Sequence, residues 1–239
     1  MSHLSKIQLL RHRAKFRLEQ LFDIRIFGDY KKTHGILFFE DAEKYGDIFQ
    51  TIVDVGANIG TSAFRFREAC PAARIYCIEP VKEIYKELES NVLHPLTSCH
   101  RLAFGDKEEE STIYTTYNPL TSSLFKTTET RGSQKVEMTT LDRFAEQNSI
   151  EQIDLLKIDT EGYDLHVLRG AQNLLNDGRI QYVMVESGFQ PGNKKHVLYH
   201  QFSEWFDQRG YACFGIYGQE AERSGEKRLR LANVVFCRE

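Results

Sequence analysis

The 239-residue chain has no apolar run approaching the ~20 residues that span a bilayer, so no transmembrane segment is expected. Its first residues, MSHLSKIQLLRHR, carry neither a secretory apolar region nor a cleavage site, and the reading predicts a cytoplasmic protein. A dominant charge is also missing. The formal net charge of −3 gives no general attraction to nucleic acid or to an acidic membrane surface, so neither partner is expected. Cysteine is sparse, odd in number (Cys70, Cys77, Cys99, Cys213 and Cys237) and never spaced C-x-x-C. This argues against a disulfide framework or a zinc knuckle and predicts free, reduced thiols. With no Pro/Gly/Ser-rich linker, the chain reads as one domain over 51–239, preceded by a helix and small hairpin over 1–50.

What the sequence does contain is organised around TIVDVGANIG, Thr51 to Gly60. A β-branched run breaks into a glycine loop, and TSAFRFREAC then reads as a helix, which makes a strand, loop and helix unit. Glycines let backbone approach a ligand and a helix start presents unpaired N–H groups, so such a unit holds an anionic or polar group at the turn. The pattern is D-x-G-x-x-x-G, with Asn58 where a dinucleotide fingerprint places its middle glycine. A small zwitterion fits better than a pyrophosphate: Asp54 attracts an ammonium while loop amides meet a carboxylate. S-adenosylmethionine has that end, although a tight turn without ligand satisfies the same spacing.

Downstream, ARIYCIEP (73–80) is a second buried strand ending in Glu79, placed where nucleotide-binding α/β folds put the acid that accepts ribose hydroxyls. HRLAFGD (100–106) reads as a third strand, leaving Ala103 and Phe104 to cover an adenine ring or simply to fill the core. The Ser/Thr-rich stretch that follows predicts a hairpin beside the sheet, with 118–134 as a mobile lid. IDLLKIDTEGYDLHVLRGA (153–171) places Lys157 and Asp159 on one strand face and starts the next helix. IQYVMVES (180–187) ends in Glu186, which a right-handed connection sets beside Asp159, ~5 Å away by inter-strand spacing. Near the ends, residues 2–22 form a basic amphipathic helix, and IRIFGDY pairs with GILFFE around a KKTH turn. HVLYHQFSEWFDQRG reads as a helix carrying His196 and His200 at i, i+4, a metal-pair spacing that lacks the acid of H-E-x-x-H.

DVGANIG, the E-P after the second strand, AFGD, the TLD before the fourth strand and LLKIDTEGYDLHVLRGA together resemble the FkbM family of S-adenosylmethionine-dependent methyltransferases. The resemblance runs from about Thr51 to Ser187. It implies an α/β, class I Rossmann-like fold with a seven-stranded, mostly parallel sheet, the last strand antiparallel, and methyl transfer to a hydroxyl of a sugar, glycan or polyketide. It also implies that Asp54, Gly56, Asn58 and Gly60 surround the methionine end, Glu79 holds the ribose, and Asp159 lies beside the sulfonium.

Methyl transfer is an in-line displacement, and a neutral hydroxyl needs help in losing its proton. Lys157, Asp159 and Glu186 are the candidate catalytic groups, with His200 more distant. Two flanking carboxylates raise a lysine's pKa, which makes Lys157 an orienting group rather than a base. Asp159 with Glu186 is a candidate site for a divalent cation such as Mg²⁺. An NAD-dependent oxidoreductase and a catalytically silent nucleotide-binding module remain as alternatives.

Overall fold

The computed structural model describes residues 34–116, 122–126, 130–193, 195–221 and 227–238. The basic helix expected over 2–22 and the IRIFGDY arm of the first hairpin lie outside these residues. Five parallel strands form most of the main sheet: β1 (Thr51–Val55), β2 (Arg74–Ile78), β3 (Thr97–His100), β7 (Ile153–Ile158) and β8 (Ile180–Gly188). The last two strands, β9 (Tyr211–Ala221) and β10 (Leu229–Arg238), complete the order β3-β2-β1-β7-β8-β10-β9, with β10 antiparallel to both neighbours. The seven-stranded expectation is met. Strand order reverses between β1 and β7, and open α/β sheets bind ligands beyond the strand ends at such a switch point.

The two-residue side-chain period divides the core between the sheet's faces. Val53, Val55, Leu156, Ile158, Val183 and Val185 pack with α4 (Leu141–Gln147), α5 (Asp164–Arg169), α6 (Gln172–Asn176) and α7 (Tyr199–Asp207). Ile52, Ile75, Cys77, Leu155 and Tyr182 pack on the other face with α1 (Phe38–Glu43), α2 (Thr61–Ala69) and α3 (Lys82–Asn91). Asp54 and Lys157 fall on this second face by the same period, and that decides their role below.

Three expectations are corrected here. GILFFE does not supply a strand, because Phe38–Glu43 is helical. A helix puts Phe38 and Ala42, at i and i+4, on one buried face, where Phe38 meets the rings of Phe49, Tyr182 and Tyr217. Asp41 is buried beside them and accepts hydrogen bonds from Tyr217 Oη at 2.9 Å and the Gly35 N–H at 2.6 Å. The single strand expected over 100–106 is instead two pieces in different sheets. Pairing of β2 with β3 ends at Ile78 and His100: the Glu79 N–H still reaches His100 O at 3.1 Å, but the next donor on that side, the Val81 N–H, turns to the Glu79 carboxylate at 2.9 Å. The chain then crosses over, and β4 (Ala103–Phe104) pairs in parallel with β6 (Gly132–Thr139).

The expected hairpin is present as β5 (Glu109–Thr115) against β6, in a three-stranded sheet of order β4-β6-β5 beside the main one. The proposed lid at 118–134 is thereby shortened, since Gly132–Gln134 already belong to β6. Ser123 pairs with Tyr114 through both backbone hydrogen bonds, at 2.8 and 3.0 Å. Residues 117–121 and 127–129 of that stretch lie outside the described residues.

Candidate functional site

The loop after β1 is built for close approach. Gly56 and Ala57 both donate backbone N–H bonds to Ile78 O at 3.0 Å, tying the loop to the end of β2. Gly56 has φ +75°, and a Cβ there would lie 1.9 Å from the carbonyl oxygen of Asp159. No side chain fits. The loop after β1 and the loop after β7 therefore touch through backbone at the switch point.

Glu79 follows β2 directly and is 6% exposed. Its carboxylate accepts the Val81 N–H at 2.9 Å and the Asn58 N–H at 3.1 Å, so the glycine loop and this acid form one unit. Burial pushes its carboxyl up to about 7 against the opposing pull of those two N–H groups. Gly56, Asn58, Glu79, Ala103, Phe104 and Asp159 line a narrow cleft of about 80 Å³, together with Ser123 and Leu124 of the smaller sheet's side. Phe104 belongs to the core as well, since it is 2% exposed and its ring centroid lies 5.2 Å from that of Phe144.

Two residues assigned to the methionine end do not line the cleft. Gly60 caps α2 with φ +95° and sits against Val92 of the segment after α3. Asp54 is fully buried on the α1–α3 face, where the ammonium it attracts belongs to the protein: Lys157 Nζ lies 3.2 Å from its Oδ1. Strand register places Asp54 opposite Lys157. Lys157 also reaches Asp159 Oδ2 at 3.3 Å and donates to Gly56 O at 3.4 Å. Burial alone would lower its pKa, but the Asp54 and Asp159 carboxylates outweigh burial and hold the ammonium above the ordinary lysine range. The two carboxylates thus favour its charged form.

Asp159 and Glu186 do come together. Ile158 pairs with Val185, so the two acids are the next residues in register at the ends of β7 and β8. Each is already engaged, Asp159 with Lys157 and Glu186 Oε2 with His196 Nδ1 at 3.1 Å. Among the described residues no group of three or more His, Cys, Asp or Glu side chains is arranged to hold a metal, and this donor set does not fit the expected divalent cation. His196 is also a correction to the sequence reading. It does not share a helix with His200, because α7 begins at Tyr199 and the preceding residues run beside β8, with the Gly188 N–H bonded to Val197 O at 3.0 Å.

Sequence reasoning missed one residue and one contact. Asp164, 2% exposed, accepts the Thr160 N–H at 3.2 Å and the Gly162 N–H at 3.1 Å, and so shapes the turn that lines the cleft. Its signal was present in D-T-E-G-Y-D, an acid closing a glycine turn on its own backbone. The His196 contact with Glu186 joins residues in irregular chain, and no periodicity announces it.

Burial, then Asp159 and Glu161, pushes the Glu186 carboxyl up to about 7. From the ordinary 4.5 to about 7 the folded protein keeps a proton there that the unfolded chain releases, so this group's contribution to stability falls as pH rises through that window. Glu186→Gln cannot ionise. Its unfolding free energy should therefore gain on the wild type between about pH 5 and about pH 8, read by urea denaturation; a constant difference would contradict the assignment.

A doubly wound sheet of this order, with a small-molecule cleft over the switch point, defines the class I methyltransferase architecture. The METTL16 MTase domain shares the fold at TM-score 0.51 and 10% identity, covering 84% of this chain and 64% of that one. Magnesium protoporphyrin IX methyltransferase (ChlM) from Synechocystis PCC 6803, with bound SAM, aligns at TM-score 0.49 and 7% identity over 83% of this chain and 74% of its own. The methyltransferase FkbM domain matches residues 54–213, and the chain belongs to that family. The hexuronic acid methyltransferase AglP of Haloferax volcanii is 24% identical over 188 residues, 77% of this chain and 75% of AglP. Among the described residues no helix is long and apolar enough to cross a membrane.

Proposed function

We propose that this methyltransferase uses S-adenosylmethionine to methylate an oxygen, preferably a hydroxyl, of a sugar or glycan acceptor. The observation that carries the cofactor is the joined unit of glycine loop and Glu79, whose carboxylate is bonded to the Asn58 N–H and borders the cleft. In this reading the ribose hydroxyls donate to Glu79, the adenine lies along Ala103 and Phe104, and the methionine end meets Gly56, Asn58 and Asp159. Lys157 acts indirectly, as a fixed cation that orients Asp159. The similarity to a hexuronic acid methyltransferase supports a sugar acceptor.

Losing hydrogen bonds to a charged acceptor costs ~1.5 to 3 kcal/mol. Glu79→Ala should therefore weaken S-adenosylmethionine binding by roughly 10- to 100-fold in calorimetry, with NAD as the control ligand. Unchanged affinity in that variant, or tight NAD binding with none of S-adenosylmethionine, would sink the cofactor assignment.

A further inference from the structure

The segment joining β8 to α7 is held in place at several points. Asn193 Oδ1 accepts the backbone N–H groups of Lys195 and His196, each at 3.0 Å. Val197 O accepts the Gly188 N–H at 3.0 Å and the Ser187 hydroxyl at 3.3 Å. Beneath it lies the turn shaped by Asp164, so close that a Cβ at Gly162 would stand 2.7 Å from the Lys195 carbonyl oxygen. Thr160 and Glu161 of that turn line the cleft. His196 is thus fixed over that turn, next to the cleft's Asp159–Glu161 wall though not itself in the lining, with its side chain 11% exposed and Nδ1 3.1 Å from Glu186 Oε2. Nε2 has no partner among the described residues.

The geometry points to His196 as the base that removes the proton from an acceptor hydroxyl, with Glu186 orienting its ring and Asn193 fixing the segment. This rests on the methyl-transfer reading above. As the acceptor oxygen bonds to the methyl carbon, the carbon–sulfur bond breaks and its electron pair stays on sulfur, leaving a neutral thioether. The hydroxyl proton passes to His196 Nε2, and the Glu186 carboxylate balances the imidazolium. Lys157 cannot take this role because it stays protonated. A hexuronic acid offers hydroxyl and carboxylate oxygens, and a carboxylate needs no base. The product expected is a methyl ether.

The surroundings keep the base available. Burial holds His196 below the ordinary imidazole range; Arg230 on β10 and the neighbouring Lys195 act in the same direction, while Asp159 and Glu220 on β9 oppose them. The carboxyl of Glu186, in contact with His196 Nδ1, is pushed up to about 7 by burial, so the carboxylate that orients and balances the ring prevails above that pH. Turnover should rise with pH through this value.

The test compares wild type with His196→Gln, His196→Ala and Glu186→Gln, using radiolabelled S-adenosylmethionine with methyl glucopyranoside and methyl glucuronide as acceptor probes. His196→Gln should lose ~10²- to 10³-fold in kcat and lose the rise with pH, while cofactor Kd stays within about twofold. Added imidazole should restore part of the His196→Ala activity, and the product should resist mild alkali as an ether. Histidine NMR reads the pair without any acceptor: Glu186→Gln should move the His196 titration, and an unmoved one overturns the pairing. Retained turnover and pH dependence in His196→Gln, or an alkali-labile ester formed at the wild-type rate, overturns the base and leaves methyl transfer standing. Failure of the wild type to bind S-adenosylmethionine overturns the underlying reading, and appears before any variant is made.

Discussion

Replacing Lys157 with methionine is expected to lower the unfolding free energy by about 3–5 kcal/mol, because it leaves the fully buried Asp54 carboxylate without its cation. Side-chain length is nearly conserved, so the loss reports charge rather than volume. The second half of the expectation is the recovery. A buried ion pair pays desolvation on both partners, and exchanging both for apolar groups is often neutral or stabilising. Adding Asp54→Val to Lys157→Met should therefore return most of the stability, giving a strongly favourable coupling in the double-variant cycle. Urea unfolding of the four proteins measures it. A single-variant loss below about 1 kcal/mol, or no recovery in the double variant, would show that the pair is not the electrostatic centre of the α1–α3 face.

Asp159→Asn should behave in the opposite way, costing turnover rather than stability. Its side chain is 35% exposed toward the cleft, and Lys157 keeps Asp54 as a partner when Asp159 is neutralised. Removing a charge beside the developing reaction centre should lower single-turnover rate by ~10²-fold or more, with cofactor affinity and fold nearly intact. A purely structural ion pair predicts the reverse pattern: early melting with a normal rate in the folded fraction. Melting temperature and single-turnover rate measured on the same samples separate the two, and wild-type rates would remove Asp159 from the reaction.

The inner strands, the glycine loop and the acids at strand ends were legible in the sequence because each is fixed by local pattern. Nearly continuous apolar runs, buried on both faces, give β1, β2, β7 and β8, and parallel connection then brings Asp159 and Glu186 to neighbouring ends without further information. Where local pattern is ambiguous, the reading failed. The aromatic run around Phe38 fits a strand or a helix by composition, and only packing against Tyr182 and Tyr217, far along the chain, selects the helix. Ala103 and Phe104 look like a continuation of β3, but they change sheets once the Val81 N–H bonds the Glu79 carboxylate instead of the neighbouring strand. Asp54 reads as a ligand residue next to a glycine loop. Its face of the sheet, together with its register against Lys157, decides otherwise. The contact between His196 and Glu186 depends on Asn193 folding an irregular segment back on β8, which no window of sequence encodes.

The backbone contact between Gly56 and Asp159 places the two halves of the reaction on one joint. A change that shifts the loop after β1 must displace the backbone of Asp159, and the converse holds. Variation is more easily taken up at the rim, in the 122–126 segment and in the segment around Asn193 and His196, which meet the turn after Asp159 at Glu161 and Gly162 rather than the Gly56 contact itself. A family built this way can exchange acceptors by altering rim segments while its inner strands stay as they are.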